Sequence, residues 1–253
     1  IFRIRCTGRV QPWGNLSISP AAQFVNYGQS LFEGLKAQKT DTGEVVLFRP
    51  EKNSERMNKG ADRLLMEKVP EALFLRAVAE TVKANEDFIP PKGKGSLYIR
   101  PLLLGTGEIL GVDRSPEYQF VIFVSPVGPY FPEGFKPISL NVEERYKRAV
   151  EGGVGNIKVA GNYVQGLRAA KDAKSLNHNE ALYLNALDGT IEEAGAANVA
   201  VIMRDEHGLK MVTPNSNSIL PSITNDSVKQ IARDMGIRVK ERPITLQETI
   251  QNG

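Results

Sequence analysis

Hydrophobic positions change their period several times along the chain, and those changes divide it into short elements of both kinds. Apolar runs and alternation predict strands at 44–49, ending before Pro50, and at 96–104 and 118–125, with a Gly-rich turn between the last two. Met57, Ala61, Leu64 and Leu65 recur at helical spacing, so 51–66 is expected to be a helix. A second helix is expected over 71–88, stopped by Pro90-Pro91. The segment Pro126-Val127-Gly128-Pro129-Tyr130-Phe131-Pro132-Glu133-Gly134 then interrupts the pattern and reads as an ordered connector. It sets the expected division: an N-terminal domain at 1–126, a connector at 127–136 and a C-terminal domain at 137–253. Past it, strands are expected near 138–142 and at 180–185, 198–203 and 209–212. Helices are expected at 162–174 and 224–235, the second with Val228, Ile231, Ala232 and Met235 on one apolar face. The class is mixed α+β, without repeats or heptads.

Composition narrows the function classes. At 253 residues the chain can bury a substantial core, and its 41% hydrophobic and 24% charged residues are ordinary for a globular protein. A net charge of +3, with basic and acidic residues interleaved, argues against nucleic acid or an anionic membrane as partner. The one cysteine, Cys6, excludes a disulfide framework and a cysteine metal cluster, and His178 and His207 lack ligand-like spacing. No apolar run approaches the roughly 20 residues that span a bilayer. A chain that opens at Ile1 is compatible with a removed leader, and a reducing aqueous compartment, cytoplasm or organellar matrix, is expected.

Candidate chemistry begins at Gly152-Gly153-Val154-Gly155-Asn156-Ile157-Lys158-Val159-Ala160-Gly161-Asn162-Tyr163. One lysine stands among small residues, with a tyrosine five positions on. Small residues permit close backbone approach, and a partly dehydrated lysine can serve as a nucleophilic amine, as a Schiff-base lysine must. Taken alone, a solvated loop lysine is the commoner outcome. Four further segments bear on it. Thr190-Ile191-Glu192-Glu193-Ala194-Gly195-Ala196-Ala197-Asn198 sets a pair of acids before small residues, where a carboxylate could meet a protonated ring nitrogen or simply face solvent. The run from Pro214 to Ser227 leads from a loop into a helix whose first turn, near Thr224, suits phosphate or needs only a cap. Arg56 could reach a phosphate, although surface arginines on helices are commoner. Tyr98 and Arg100 project from one face of a strand, a pairing suited to a carboxylate or to a structural contact.

In order and spacing these segments resemble the branched-chain amino acid aminotransferases, pyridoxal-phosphate enzymes of class IV (fold type IV). The resemblance runs from Tyr27-Gly28-Gln29-Ser30-Leu31-Phe32-Glu33-Gly34-Leu35-Lys36 to Glu241-Arg242. It is most specific at Leu31 to Lys36, Tyr98-Ile99-Arg100-Pro101, Lys158 to Tyr163 and Ile219-Leu220-Pro221-Ser222-Ile223-Thr224. It implies a smaller N-terminal α/β domain and a larger C-terminal domain with a pseudo-barrel sheet. It also implies amino transfer between branched-chain L-amino acids (Leu, Ile, Val) and 2-oxoglutarate on pyridoxal 5'-phosphate, with glutamate and 2-oxo acids as further substrates. Lys158 would bind the cofactor aldehyde and carry the proton. Tyr163 would bond the cofactor's phenolic oxygen, Glu193 the ring nitrogen, and Leu220 would pack on the ring. Arg56 and the amides of Ile223 and Thr224 would hold the phosphate. Tyr27, Phe32 and Tyr98 would wall the substrate pocket, with Ala196 also at the substrate and Arg100 near the substrate carboxylate. Leu110 and Val112 would come from the partner subunit of a homodimer.

A D-amino acid aminotransferase or aminodeoxychorismate lyase is the neighbouring alternative, opposed by the Tyr98-Ile99-Arg100-Pro101 and Phe32-Glu33-Gly34 motifs. A catalytically silent dimerisation module is opposed by the joint presence of Lys158, Tyr163, Glu193 and Arg56. Ser222 stands where the family has glycine, Asn225 where arginine follows the threonine, and Asn185 where aspartate is common. If position 222 needs a positive φ, serine would strain the loop and weaken cofactor binding. The chain ends at Gln251-Asn252-Gly253, where relatives are expected to continue into a further phosphate and carboxylate loop.

Overall fold

A computed structural model of the chain describes residues 8–129, 134 and 136–252. It divides into two compact units after Gly134. Residues 130–133 and 135 of the expected connector, and Cys6, lie outside the described residues.

The first unit runs through helix α1 (Gln23–Tyr27), strands β1 (Ser30–Phe32), β2 (Leu35–Lys39) and β3 (Val45–Leu47), helices α2 (Pro50–Arg63) and α3 (Glu71–Lys83), and strands β4 (Ser96–Gly105) and β5 (Tyr118–Val127). β4 is its spine. Along one edge β4 pairs antiparallel with all of β5. The other edge is shared: β1 lies opposite Leu102 to Leu104 and β2 opposite Leu97 to Ile99, with β3 beyond β2. The break between β1 and β2 falls at Pro101. Its carbonyl accepts from the Glu33 amide at 2.9 Å. A strand residue turns its N–H and C=O to the same edge, so the missing proline N–H lies there too and the ladder cannot close. Glu33-Gly34 therefore leave the strand.

Period-two alternation sends Leu97, Ile99, Pro101 and Leu103 of β4 into the core and leaves Tyr98 and Arg100 on the other face. α3 packs on β4 and β5, with Phe74 and Phe120 ring centroids 5.7 Å apart, and α2 packs on β1 and α3. A methyl at Gly60 would sit 2.8 Å from the Leu31 side chain, so glycine sets how closely α2 approaches β1. α2 has Pro50 in its first turn and ends before Leu65, whose φ of 55° cannot continue a helix. The expected second helix stops at Lys83, and only a 3-10 turn follows at Glu86–Phe88.

The second unit comprises β6 (Leu140–Glu143), α4 (Gly161–Val164), α5 (Leu167–Ser175), β7 (Glu180–Leu184), β8 (Ile191–Ala194), β9 (Ala197–Asn198), β10 (Val201–Asp205), β11 (Gly208–Thr213), α6 (Ile223–Asp234), β12 (Arg238–Glu241) and α7 (Leu246–Asn252). Its described residues form two open sheets, β6-β7-β8-β9 and β10-β11-β12. Each contains one parallel pair, and parallel strands need a crossover. The first crossover, 144–179, carries Lys158 with α4 and α5; the second carries α6. The core joins Leu182, Ile191, Val201, Met203, Val212 and Ile244. On the other face of β7, Ala181 and Tyr183 meet Ala169 and Ala173 of α5.

Several boundaries differ from the sequence pattern. The expected helix at 162–174 is two helices, because Gly166 lies between them and bonds the Tyr163 carbonyl three residues back. Asn198 belongs to the short β9, so the following strand starts at Val201. The apolar face of α6 splits: Ala232 is buried while Val228, Ile231 and Met235 are exposed. Among the described residues no helix is long and apolar enough to cross a membrane.

Asp205 closes the β10–β11 hairpin. It accepts from the His207 amide at 2.9 Å, and it pairs with Arg238 of β12 and with Lys210, the latter at 3.3 Å. The backbone N–H first, then the two cations, hold its carboxyl down to about 2 from the usual 3.8. A depressed acid stabilises the fold above its unfolded pKa and loses that contribution as pH falls through the folded value. Asp205→Asn is therefore expected to lower Tm near neutral pH. The gap should close as pH falls from 3.8 through about 2; a gap independent of pH in thermal melts would refute the charge argument.

Candidate active site

Lys158 lies between two buried anchors, Ile157 and Val159, just before α4. The buried Asn162 side chain fixes this turn by donating to the carbonyls of Val154, at 2.7 Å, and Ile157, at 3.0 Å. One helical turn then brings Tyr163 back over the lysine: Nζ donates to the phenol oxygen at 2.7 Å and lies 4.9 Å from the ring centroid. The glycines before Lys158 have specific tasks. Gly152 takes a φ of 77°. A methyl on Gly155 would come within 2.3 Å of both the Ser218 carbonyl oxygen and the Ala149 Cβ, so the lysine loop rests directly on another segment of backbone.

That segment is held by β8. Glu192 and Glu193 are both buried and, as strand neighbours, face opposite sides. Glu192 accepts from Asn185 at 2.9 Å, from Ser216 at 3.3 Å and from Ser218. Glu193 accepts from the Leu220 amide at 3.0 Å and pairs with Arg148, Nε to Oε2, at 3.4 Å. Asn198, opposite Glu193 on β9, donates to the Leu220 carbonyl at 3.2 Å. Burial raises the Glu193 carboxyl above its usual range, against the pull of Arg148 and the Leu220 amide; Glu192 adds to the rise and Lys158 opposes it. The expected ring-nitrogen acid is thus a buried carboxylate within electrostatic range of the expected Schiff-base lysine.

Leu220 leads into α6, whose cap is Ser222. Its φ of −88° is ordinary extended backbone, so the strain expected if glycine were required does not arise. The Ser222 hydroxyl instead accepts from the Asn225 amide at 3.0 Å. Ile223 and Thr224, as the first two helical residues, have amides without intrahelical acceptors, the usual arrangement where an anion binds a helix N-terminus. Asn225, at the family's arginine position, turns its amide to Thr213 at 3.2 Å. Ala196 is exposed in the β8–β9 turn, beside Gly195 at a φ of 56°.

The remaining expected site residues belong to the first unit. Arg56 is engaged by the fully buried Glu33 through Nε, at 2.8 Å, and Nη2, at 2.7 Å, while Asn53 donates to the same carboxylate at 2.8 Å. Arg100 donates to the Tyr98 hydroxyl at 3.0 Å and stands 4.8 Å from the Phe32 ring centroid, which gathers three expected pocket residues at one place. Gly34 is required there, since a methyl would meet the Tyr98 hydroxyl at 2.2 Å. Tyr27 donates to the Leu110 carbonyl at 2.6 Å, and Gln23 donates to the carbonyl of Gly111 at 3.2 Å and to that of Asp113. These bonds pin a loop whose Leu110 and Val112 are 72% and 85% exposed. Glu33, Arg148, Asn162 and Asn198 are site residues that the sequence pattern does not single out. Glu33, Asn162 and Asn198 stand inside the motifs; Arg148 carries no local signal.

The chain belongs to the class IV amino-transferase family, whose model matches residues 30–251. Branched-chain-amino-acid aminotransferase 5, chloroplastic, of Arabidopsis thaliana is 47% identical over 96% of this chain. The match covers 58% of that relative, so the chain spans less than two thirds of its length. Among solved structures, the branched-chain aminotransferase of Thermoproteus uzoniensis with norvaline superposes with a TM-score of 0.80 at 26% identity, over 93% of this chain and 76% of that one. The branched-chain amino acid aminotransferase of Thermobaculum terrenum in its PLP form gives 0.77 at 26% identity, over 95% and 76%.

Gly155→Ala tests the close packing under the lysine. Overpacking at a backbone contact is expected to cost about 1–3 kcal/mol in urea unfolding. Unchanged stability would show that the loop does not rest on Ser218.

Proposed function

We propose that the chain transfers amino groups between branched-chain L-amino acids (leucine, isoleucine, valine) and 2-oxoglutarate, with pyridoxal 5'-phosphate bound at Lys158. The observation that carries this reading is the convergence of an amine, a phenol and a buried carboxylate in one unit: Lys158 Nζ lies 2.7 Å from Tyr163 Oη, and Glu193 is tied to the segment that enters α6. These donor types fit the cofactor: an amine for its aldehyde, a hydroxyl for its phenolic oxygen, an acid for its ring nitrogen and first-turn amides for its phosphate. When bound, the cofactor supplies an aldehyde and an electron-accepting ring.

Each residue then has a defined task. Lys158 Nζ would hold the cofactor aldehyde and, once the substrate amine has displaced it, would be the free amine that carries the substrate Cα proton. Tyr163 Oη holds that amine in place and would bond the cofactor's phenolic oxygen. By the family's pattern Glu193 would keep a proton on the ring nitrogen, Leu220 would pack on the ring, and Arg56 and the Ile223 and Thr224 amides would each be a phosphate ligand. Phe32, Tyr98 and Tyr27 form apolar walls, Ala196 leaves room at the substrate, and Arg100 receives the carboxylate. Leu110 and Val112 reach the pocket of a second copy, so the working form is a homodimer. The cytoplasm or an organellar matrix is the proposed compartment; the Arabidopsis relative is named chloroplastic.

Protein mixed with pyridoxal 5'-phosphate should show a visible absorbance band that borohydride removes, leaving the cofactor attached to the Lys158 peptide by mass spectrometry. Lys158→Ala should lose the band and reduce L-leucine turnover by roughly 10³-fold or more. Attachment to another lysine, or turnover of D-alanine or aminodeoxychorismate in place of L-leucine, would overturn the reading.

A further inference from the structure

Arg148 is a buried cation for which the proposed reaction has so far supplied no task. Its side chain and that of Glu193 are each 5% exposed. A buried charge is costly unless paired, and the guanidinium has few partners to choose from. Nε lies 3.4 Å from Glu193 Oε2 and donates to the Gly195 carbonyl at 3.4 Å. Its carbon stands 5.3 Å from the centroid of the Tyr163 ring, within the range of a cation–π contact. Nη1 is buried with no hydrogen-bond partner among the described residues. The backbone of Arg148 is fixed separately, its carbonyl accepting from Gln165 at 2.9 Å.

We propose that Arg148 is a positioning residue for amino transfer, holding the Glu193 carboxylate and the Tyr163 ring in one geometry. It rests on the reading of Lys158, Tyr163 and Glu193 as the cofactor site, and it adds the group that links two of the three. A residue serving only to fill the core would not need a charge at this spot. The aliphatic alternative would avoid the desolvation cost and the unpartnered Nη1. What the cation provides is a fixed positive charge against an acid that burial drives toward its neutral form. The other groups facing Glu193 are divided: the Leu220 amide and Lys158 favour its charge, and Glu192 opposes it. The Lys158 amine would be taken up by the cofactor, whereas the Arg148 guanidinium stays charged throughout, so Arg148 is the constant cation that the protein sets beside Glu193.

The test uses the full chain and pyridoxal 5'-phosphate, measuring affinity by equilibrium dialysis, the pH midpoint of the visible band, and thermal stability separately. Arg148→Met should raise the cofactor dissociation constant roughly tenfold or more and move the midpoint, with Arg148→Lys recovering part of both. In a Glu193→Gln background, adding Arg148→Met should change affinity by less than about threefold, since no charge remains to be held. A variant that melts earlier yet binds within about twofold of the parent, with an unmoved midpoint, would reduce Arg148 to a structural role. Additive effects in the double variant would do the same. If Arg148→Met does not fold, the lysine variant and the double variant decide by the same criteria. If the parent chain itself binds no cofactor, the functional reading fails first and this inference falls with it.

Discussion

Two consecutive carboxylates on β8 are buried, and the geometry of the second unit follows from how they are satisfied. A buried carboxylate without partners is strongly unfavourable, so each must find its own set. Strand alternation separates the sets, because Glu192 and Glu193 face opposite sides. Glu192 takes neutral donors from Asn185, Ser216 and Ser218, while Glu193 takes the Leu220 amide and Arg148. Both therefore draw on the segment that precedes α6. That segment is held from two sides of one strand, and the lysine loop rests on it through Gly155. The separation between Lys158 and the first turn of α6 is thus inherited from β8.

The first unit uses a related device. Pro101 opens the β4 edge, Glu33 leaves the ladder there, and its buried carboxylate is satisfied by Asn53 and by two donors of Arg56. The strand defect and the α2 arginine are one feature. Without the break Glu33 would stay in strand geometry, and Arg56 would lose the partner that fixes its guanidinium plane. A bidentate pair sets both position and orientation, which a single contact would not.

Much of this was legible from residue order, and the rest fails for identifiable reasons. Long periodic segments, such as α2, α3 and β4, declared themselves because their apolar spacing is set by one packed face. β1, β2 and β8 did not. β1 and β2 are short pieces of one broken edge, and β8 carries acids where a strand pattern expects apolar residues. Periodicity predicts one helix over 162–174 because it does not register Gly166, a single residue that changes the hydrogen-bond spacing. Lys158, Tyr163 and Glu193 stood out through a known arrangement of motifs. Arg148 could not, because its partners lie 15 and 45 positions away and nothing local distinguishes it from a surface arginine.

The departures from the family pattern make sense in the same terms. An aspartate at position 185 would set a second negative charge against Glu192, and a neutral amide donates to it instead at 2.9 Å while its oxygen accepts from the Leu187 amide at 2.8 Å. Serine at 222 needs no left-handed backbone and supplies its own cap, which occupies the Asn225 amide and leaves those of Ile223 and Thr224 facing outward from the helix end. Asparagine at 225 gives up a cation and gains a bond to Thr213, whose hydroxyl in turn donates to Val199 at 2.9 Å. The start of α6 is thereby tied to the end of β11. Backbone amides at a helix terminus favour an anion through their direction and partial positive charge, and those of Ile223 and Thr224 keep both without a cation at 225. In this chain the phosphate end of the proposed site depends on how well α6 is anchored.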